Sequence, residues 1–555
     1  MYAPKLKNTQ PQEFVLDDYT RAFAQCIDNN WNYAVYAQNP NVSIYQNEYN
    51  AGYAQGKVQT NKMIVATRNN TWRWYVLDEG PGADSVTPPD EMPGLVHDAL
   101  IKNYNYLTDW AEKNAGNKFG QGITRLMFRM LGIYHGAADM APVANVTFEN
   151  LKLSNMKPEE LELHVSEGPL SFLDVYFINA QMDIWDALSK EIGKAFEDRL
   201  KKEKPEVANA IVHDDCHDLK IKLGHCSGFV KVKSDGEIVW THTSWCCLMA
   251  QSCAMTYVIG EDFITQNSFS PGQFGSNTDF GFNGHGIGFN ETTETYFYIE
   301  PKVEGVWMTW RAAAAEFFSK SIEEFYEYIS LDNTSTYLNA YMIVDAFRNQ
   351  FGLIDMSWAR FVLFTGDNKG SELTVKDSTG YEPNFLDYDH HMITPTHVLG
   401  CNDPIYKRIQ RELMFIDGAP KRRFQLFRSI ANVDDLDSAK ALITYNESLE
   451  PISIAGRWDK NYGTSEFLRY QPHGAIDAKV FGTAEIREVL ASLSFQPDIN
   501  GEKTSFWMKY GSPYIDGTPF VWSDSIWAKF KQPEEVDCIP DAIDGRWNRV
   551  KMFMK

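Results

Sequence analysis

A chain of 555 residues with 44% hydrophobic and 14% aromatic residues has the material for a large core and is not a mainly disordered polypeptide. Its length admits roughly two to four average domains, or one large domain with additions. The formal charge of −22 repels phosphate backbones, so nucleic acid is not an expected partner. An acidic compartment and simple solubility account for that charge equally well.

No apolar run approaches the roughly 18–20 residues that span a bilayer, so no integral membrane segment is expected. The opening, "MYAPKLKNTQPQEF", has no apolar core of the signal-peptide kind. That fits a mature or recombinant form, or a cytosolic chain. Six Asn-X-Ser/Thr sequons, at Asn41, Asn69, Asn145, Asn290, Asn333 and Asn446, lean toward secretion and glycosylation of some of them. The eight cysteines are too few for a disulfide scaffold. Four of them crowd between Cys226 and Cys253.

Along the chain, "EMPGLVHDALIKNYNYLTDWAEK" has helical spacing after a Pro-rich turn. Leu173 to Glu206 starts amphipathic and ends in solvated charge, which predicts one long helix that frays. Lys201 to His225 has no clear period and reads as an exposed connector, where a chain is easily cut. Trp310 to Leu331 reads as a helix and "ARFVLFTG" as a strand. Thr483 to Ser494 reads as a helix with a Thr N-cap. Helices and hairpins in separate runs predict an α+β layered fold.

The most informative stretch is "KLGHCSGFVKVKSDGEIVWTHTSWCC", Lys222 to Cys247. Two alternating apolar runs flank Asp235-Gly236, the strongest short-range hairpin signal. Pairing outward brings Cys226 within a few residues of His242. A strict two-residue turn puts them on opposite faces, and one bulge residue restores them to the same face. Spacing leaves both registers open. The cysteine directly follows the connector, opens a strand and is flanked by Gly224, Ser227 and Gly228. An N-terminal-nucleophile hydrolase needs this layout. Its chain is cut just before the nucleophile, and the freed α-amine, with a pKa near 8, serves as the local base.

"GHCSGFVKV…THTSW" resembles the phospholipase B-like family, whose pattern is a Gly-His-Cys-Ser segment followed by a His-Asn-Thr-Trp segment. "AGYAQG", "FENLKLSNMKPEELEL", "TDFGFNGHGIGFNETTE", "TYLNAYMIVD" and "PHGAIDAKV" resemble further family segments, in the right order over most of the chain. The resemblance implies an α+β fold of the αββα four-layer, N-terminal-nucleophile type. It implies a lysosomal or secreted glycoprotein, self-cleavage before the cysteine, and hydrolysis of acyl ester or amide bonds in lipid or other small-molecule substrates. The expected organisation is an N-terminal segment, 1–200, packed on the core, then a connector, 201–225, then a hydrolase domain, 226–555.

Carried over residue by residue, the resemblance makes Cys226 the nucleophile and new N-terminus, with His242 and Trp245 shaping the site. Thr293 matches the second Thr of a Glu-Thr-Thr motif. Arg422, in "APKRRFQLFR", matches the family's active-site arginine, where a guanidinium can hold a carboxylate or phosphate bidentately. Thr243 departs from the pattern by replacing the Asn after His. The family's oxyanion-hole Asn lies in a Tyr-Asn-Ile-Pro segment. In "GYEPNF" Tyr381 takes that place and Asn384 is the nearest amide, so an oxyanion donor worth about 10²–10³ in rate is in question.

"HDDCHD" and "DYDHH" lack a closed zinc-ligand spacing, and neither a metal nor a cofactor is expected. The repeated glycines of "GFNGHGIGFN" read as a close-packed backbone segment rather than a phosphate loop. "CCLMAQSCAM" reads as core packing or as a helix beside the nucleophile. No GxSxG elbow supports a serine esterase. The alternative to an enzyme is a silent, unprocessed lumenal protein of the same fold that binds lipid or peptide.

Overall fold

The computed structural model describes residues 7–77, 91–165, 168–203, 226–247, 252–268, 270–275, 280–296, 298–370, 372–415, 420–446, 454–455, 473–511, 520–521, 542–543 and 545–555. Of the expected connector 201–225, residues 201–203 end a helix, and 204–225, with "HDDCHD", lie outside the described residues.

Helices and strands are mixed, as the α+β pattern predicts. An eleven-stranded sheet begins with three N-terminal strands, Gln12–Asp17, Thr20–Ile27 and Asn30–Ala37. The third of these pairs in parallel with Cys253–Ile259, and the sheet continues antiparallel to Thr374–Asp377. The N-terminal segment therefore supplies part of the central sheet. A seven-stranded sheet carries the hairpin strands Ser227–Val232 and Ile238–Thr243, flanked by His397–Gly400 on one side and Asp477–Gly482 on the other.

The two sheets face each other. Trp240 of the smaller sheet stacks on Phe280 of the larger one, with ring centroids 5.6 Å apart, an arrangement that adds to the area both rings bury. Close approach is bought with glycine. A Cβ on Gly288 would lie 2.7 Å from both Trp240 and Val344. The glycine-rich segment is thus the close-packed backbone its sequence predicts, in the hairpin Phe280–Asn283 and Ile287–Thr293. Helices Ile44–Gln59 and Met308–Phe318 pack on the larger sheet, and Leu436–Ile443 and Thr483–Ser492 on the smaller.

Several expected elements take modified forms. The helix after the Pro-rich turn runs Met92–Lys113, and the expected strand runs Phe361–Asp367. The long helix divides at Leu188 into Phe172–Ala187 and Ser189–Glu203. Buried Asp183 caps the backbone N–H groups of Met308 and Thr309, and Asp186 accepts from Tyr337 N, so tertiary bonds fix the first half.

Trp310 to Leu331 likewise divides, into Met308–Phe318 and Ile322–Ile329. Ser319 bonds back to the Ala315 carbonyl, and Ser321 caps the next helix through Glu324 N, a serine competition with the helix ladder. Gly482, not Thr483, occupies the N-cap of the helix Thr483–Ser492. The Thr483 hydroxyl instead accepts from Ile238 N and donates to Glu237, tying the helix to the hairpin. Of "CCLMAQSCAM", the two ends lie in the strands Trp245–Cys247 and Cys253–Ile259, and residues 248–251 lie outside the described residues. Asn290 lies fully buried in a strand with its amide on the Thr241 carbonyl, so this sequon cannot carry a glycan in the folded chain.

Candidate active site

The hairpin register decides the first question. Lys233 N bonds to Glu237 O, and Ser234, Asp235 and Gly236 form a three-residue loop with Gly236 at φ +84°. This is a tight turn followed by a left-handed glycine, which adds the one residue that shifts the register. Gly228 pairs with His242 and Ser227 with Thr243. Cys226, two residues before Gly228, therefore falls on the same face as His242. Cys226 is half-buried and not in a disulfide.

That face looks into the space between the sheets. Gly400, Gly228, His242, Lys479 and Met508 form one row across the strands. A Cβ on Gly228 would meet Asn290 Nδ2 at 2.8 Å and Met342 at 3.1 Å, both on the larger sheet. A Cβ on Gly400 would likewise lie 2.5 Å from Met342, so the two glycines let the larger sheet approach this row closely.

Beside His242 lies a buried polar chain. Ser244 Oγ lies 3.3 Å from His242 Nδ1 and accepts from Lys479 Nζ at 2.7 Å. Lys479 pairs with Asp477 at 2.5 Å, and both side chains are wholly shielded from solvent. Asp477 also accepts from Ser244 N and Ser252 Oγ, and Asn267 Nδ2 donates to Ser252 Oγ. Burial, then the Lys479 ammonium, pushes the His242 pKa well below the usual imidazole value, while a bond to the Glu291 backbone acts the other way. His242 is therefore neutral at ordinary pH. Lys479 and Asp477 were not singled out from sequence. Their signal was two opposite charges two residues apart in an otherwise apolar strand, "IDAKVFG".

The remaining predicted residues are placed differently. Trp245 packs with Ala455 and Ala475 and donates from Nε1 to the Ile454 carbonyl. Thr293 closes its strand, with its carbonyl accepting from Asn402 Nδ2 at 2.7 Å. Asn384 is not brought to this space. It is exposed, caps the turn Phe385–Asp387 and accepts from Leu386 N. A short polar side chain at a turn start satisfies local backbone donors, the role Asn384 has here. Arg422 lies in the helix Pro420–Ser429, and its side chain falls outside the described residues. Its neighbour Arg423 bonds Asp403 at 3.1 Å.

Asn402 is a second amide near this row, not considered from the sequence. It follows Gly400, which pairs with Gly228, and is buried in the left-handed backbone region at φ +69°. Its amide bonds Thr293 O, and its own carbonyl accepts from Thr295 N. Below it, Glu294 lies against Asp355 and Asp403. Burial, then these two carboxylates, raises the Glu294 pKa well above the usual range, and burial raises Asp355 to about 6.

Among the described residues no cluster of metal-ligating side chains occurs, and no helix is long and apolar enough to cross a membrane. A pocket of about 270 Å³ lies at the turn end of the larger sheet, lined by Asp262, His285, Phe317 and Leu493 among others, and none of the residues above lines it.

A half-buried cysteine thus stands at a strand head, on the same sheet face as a buried histidine and the lysine of a buried ion pair. The Phospholipase B family model matches residues 24–353, more than half of the sequence, and the chain belongs to this family. It is similar to Phospholipase B-like protein B of Dictyostelium discoideum, 26% identical over 388 residues, covering 65% of this chain and 61% of that protein. It is also similar to Phospholipase B of Crotalus adamanteus, 27% identical over 304 residues and 51% of each. The chain thus spans 61% and 51% of the lengths of these relatives.

Proposed function

We propose that this chain is a lysosomal or secreted hydrolase of the N-terminal-nucleophile type, with an αββα layered core, that cleaves acyl ester or amide bonds in phospholipids or related acyl substrates. The observation that carries this reading is the shared face of Cys226 and His242, set by the extra loop residue at Gly236. Cleavage between His225 and Cys226, at the end of the connector 201–225, frees the α-amine. That amine takes the thiol proton, and the thiolate attacks the substrate carbonyl.

Asn402, rather than Asn384, serves as the oxyanion donor, held in place by Thr293 and Thr295. Collapse expels the leaving group, which receives the proton from the amine. Water then hydrolyses the thioester by the same route reversed. Ser244 and Lys479 hold His242 in one orientation and supply a polar wall beside the sulfur. Trp245 shapes one side of the cleft, and an arginine of the helix Pro420–Ser429, Arg422 or Arg423, holds an anionic group of the substrate.

The test is turnover of the processed chain on a micellar phospholipid and on a long-chain acyl amide, beside Cys226→Ser. The reading requires fatty acid release from one of them that the variant loses. Release by Cys226→Ala at the wild-type rate refutes the thiol assignment.

A further inference from the structure

The short segment around Phe385 and the helix Pro420–Ser429 together expose large apolar side chains that the folded chain leaves uncovered. Phe385 is 67% exposed, Leu386 71%, Phe424 58% and Phe427 40%. Exposed apolar residues scattered singly need no explanation, but a group on adjoining elements does. His391 joins the two elements, with its ring 4.9 Å from that of Phe427. Arg423 also joins them, bonding Asp389 at 3.7 Å. On the helix, Leu426 and Ile430 point into the core, so Phe424, Phe427 and Arg428 turn outward.

The charge of this patch runs against that of the molecule. The chain carries −22, yet the helix "PKRRFQLFRS" has four cations and no carboxylate. Lys407, exposed, donates to the Leu386 carbonyl, placing another ammonium beside the apolar tip. Carboxylates are present at Glu382, Asp387, Asp389 and Glu412, but three of them are engaged locally. Asp387 accepts from Asn384 N and Tyr381, Asp389 pairs with Arg423, and Glu412 pairs with Arg360. The patch adjoins the candidate site. The helix packs on His397–Gly400, and Arg423 reaches Asp403, next to Asn402.

We propose that Phe385, Leu386, Phe424 and Phe427, with Arg428 and Lys407 around them, form a surface that docks on an anionic phospholipid bilayer. Apolar tips enter the headgroup–acyl boundary, and the cations face the lipid phosphates. This deepens the hydrolase reading by placing the site beside the lipid surface, but vesicle binding is measurable without turnover.

The test uses the full chain in a Cys226→Ala background, so lipid is not consumed. Co-sedimentation is measured with vesicles of phosphatidylcholine alone and of phosphatidylcholine mixed with phosphatidylserine. The expected result is binding to the mixed vesicles that weakens with added salt. Replacing the four apolar residues by serine should weaken it by roughly tenfold or more, and Arg428→Glu should selectively reduce binding to the anionic vesicles. Melting temperature checks the fold of each variant, and the four-serine change in the wild-type background should leave hydrolysis of a water-soluble short-chain ester unchanged. Equal vesicle binding by the four-serine protein overturns the proposal. So does a wild type that ignores vesicles and instead forms dimers that the serine changes dissolve. If the wild type fails to hydrolyse the soluble ester yet binds vesicles as described, the hydrolase reading falls and the surface stands.

Discussion

Gly228 and His242 sit directly opposite each other across the hairpin, and this pair puts Cys226 on the histidine's side of the sheet. Everything proposed for the chemistry depends on that register. A loop shorter by one residue would turn the sulfur toward the other face.

The oxyanion assignment separates two amides. Asn402→Gly keeps the left-handed backbone freedom that φ +69° calls for and removes only the side chain. It should lower kcat by about 10²–10³. Asn384→Ala removes a turn cap, and should cost about 1 kcal/mol of stability with little change in kcat. Steady-state kinetics on both variants, with melting curves, decide it; the reverse ranking would restore Asn384.

Lys479 and Asp477 are a wholly buried ion pair. Lys479→Met leaves the Asp477 carboxylate without its cation and should destabilise the fold by roughly 3–5 kcal/mol. Adding Asp477→Asn should recover a large part of that loss, because no buried charge then remains. Urea unfolding of the two single variants and the double gives the coupling, and simple additivity would contradict a paired role.

Glu294 supplies a pH dependence with a defined sign. Its folded pKa is raised by burial and by Asp355 and Asp403, so its stability contribution is present below the ordinary value of 4.5 and is lost as pH rises through the folded value. His242 and His397, the latter lowered to about 4, act oppositely and lose stability on acidification. The difference between Glu294→Gln and wild type isolates the carboxyl. The variant should gain on the wild type as pH rises above 4.5, by at most about 1.4 kcal/mol per unit. A melting-temperature difference that is the same at pH 4.5 and 7 would sink the assignment.

How far the sequence reached can be judged from particular residues. Asp235-Gly236 announced the hairpin, and the alternation around it announced both strands. Turn chemistry left the register open because Asp-Gly serves two-residue and three-residue loops alike. Helix periodicity is visible from Leu173 to Glu206 and from Trp310 to Leu331, but the break at Leu188 goes with the tertiary bonds of Asp183 and Asp186, and that at Ser319 with local serine bonds, neither of which periodicity carries. Asn402 escaped because its amide bonds a strand more than a hundred residues earlier. Lys479 escaped because its partner row exists only once the strands are paired.

The most direct measurement is the mass and N-terminal sequence of the purified protein, held at acidic and at neutral pH beside Cys226→Ala. The account predicts two wild-type fragments, the larger beginning at Cys226, and a variant that stays whole. A wild type that remains a single chain under both conditions, or a variant cut at the same bond, would contradict a self-processed cysteine nucleophile.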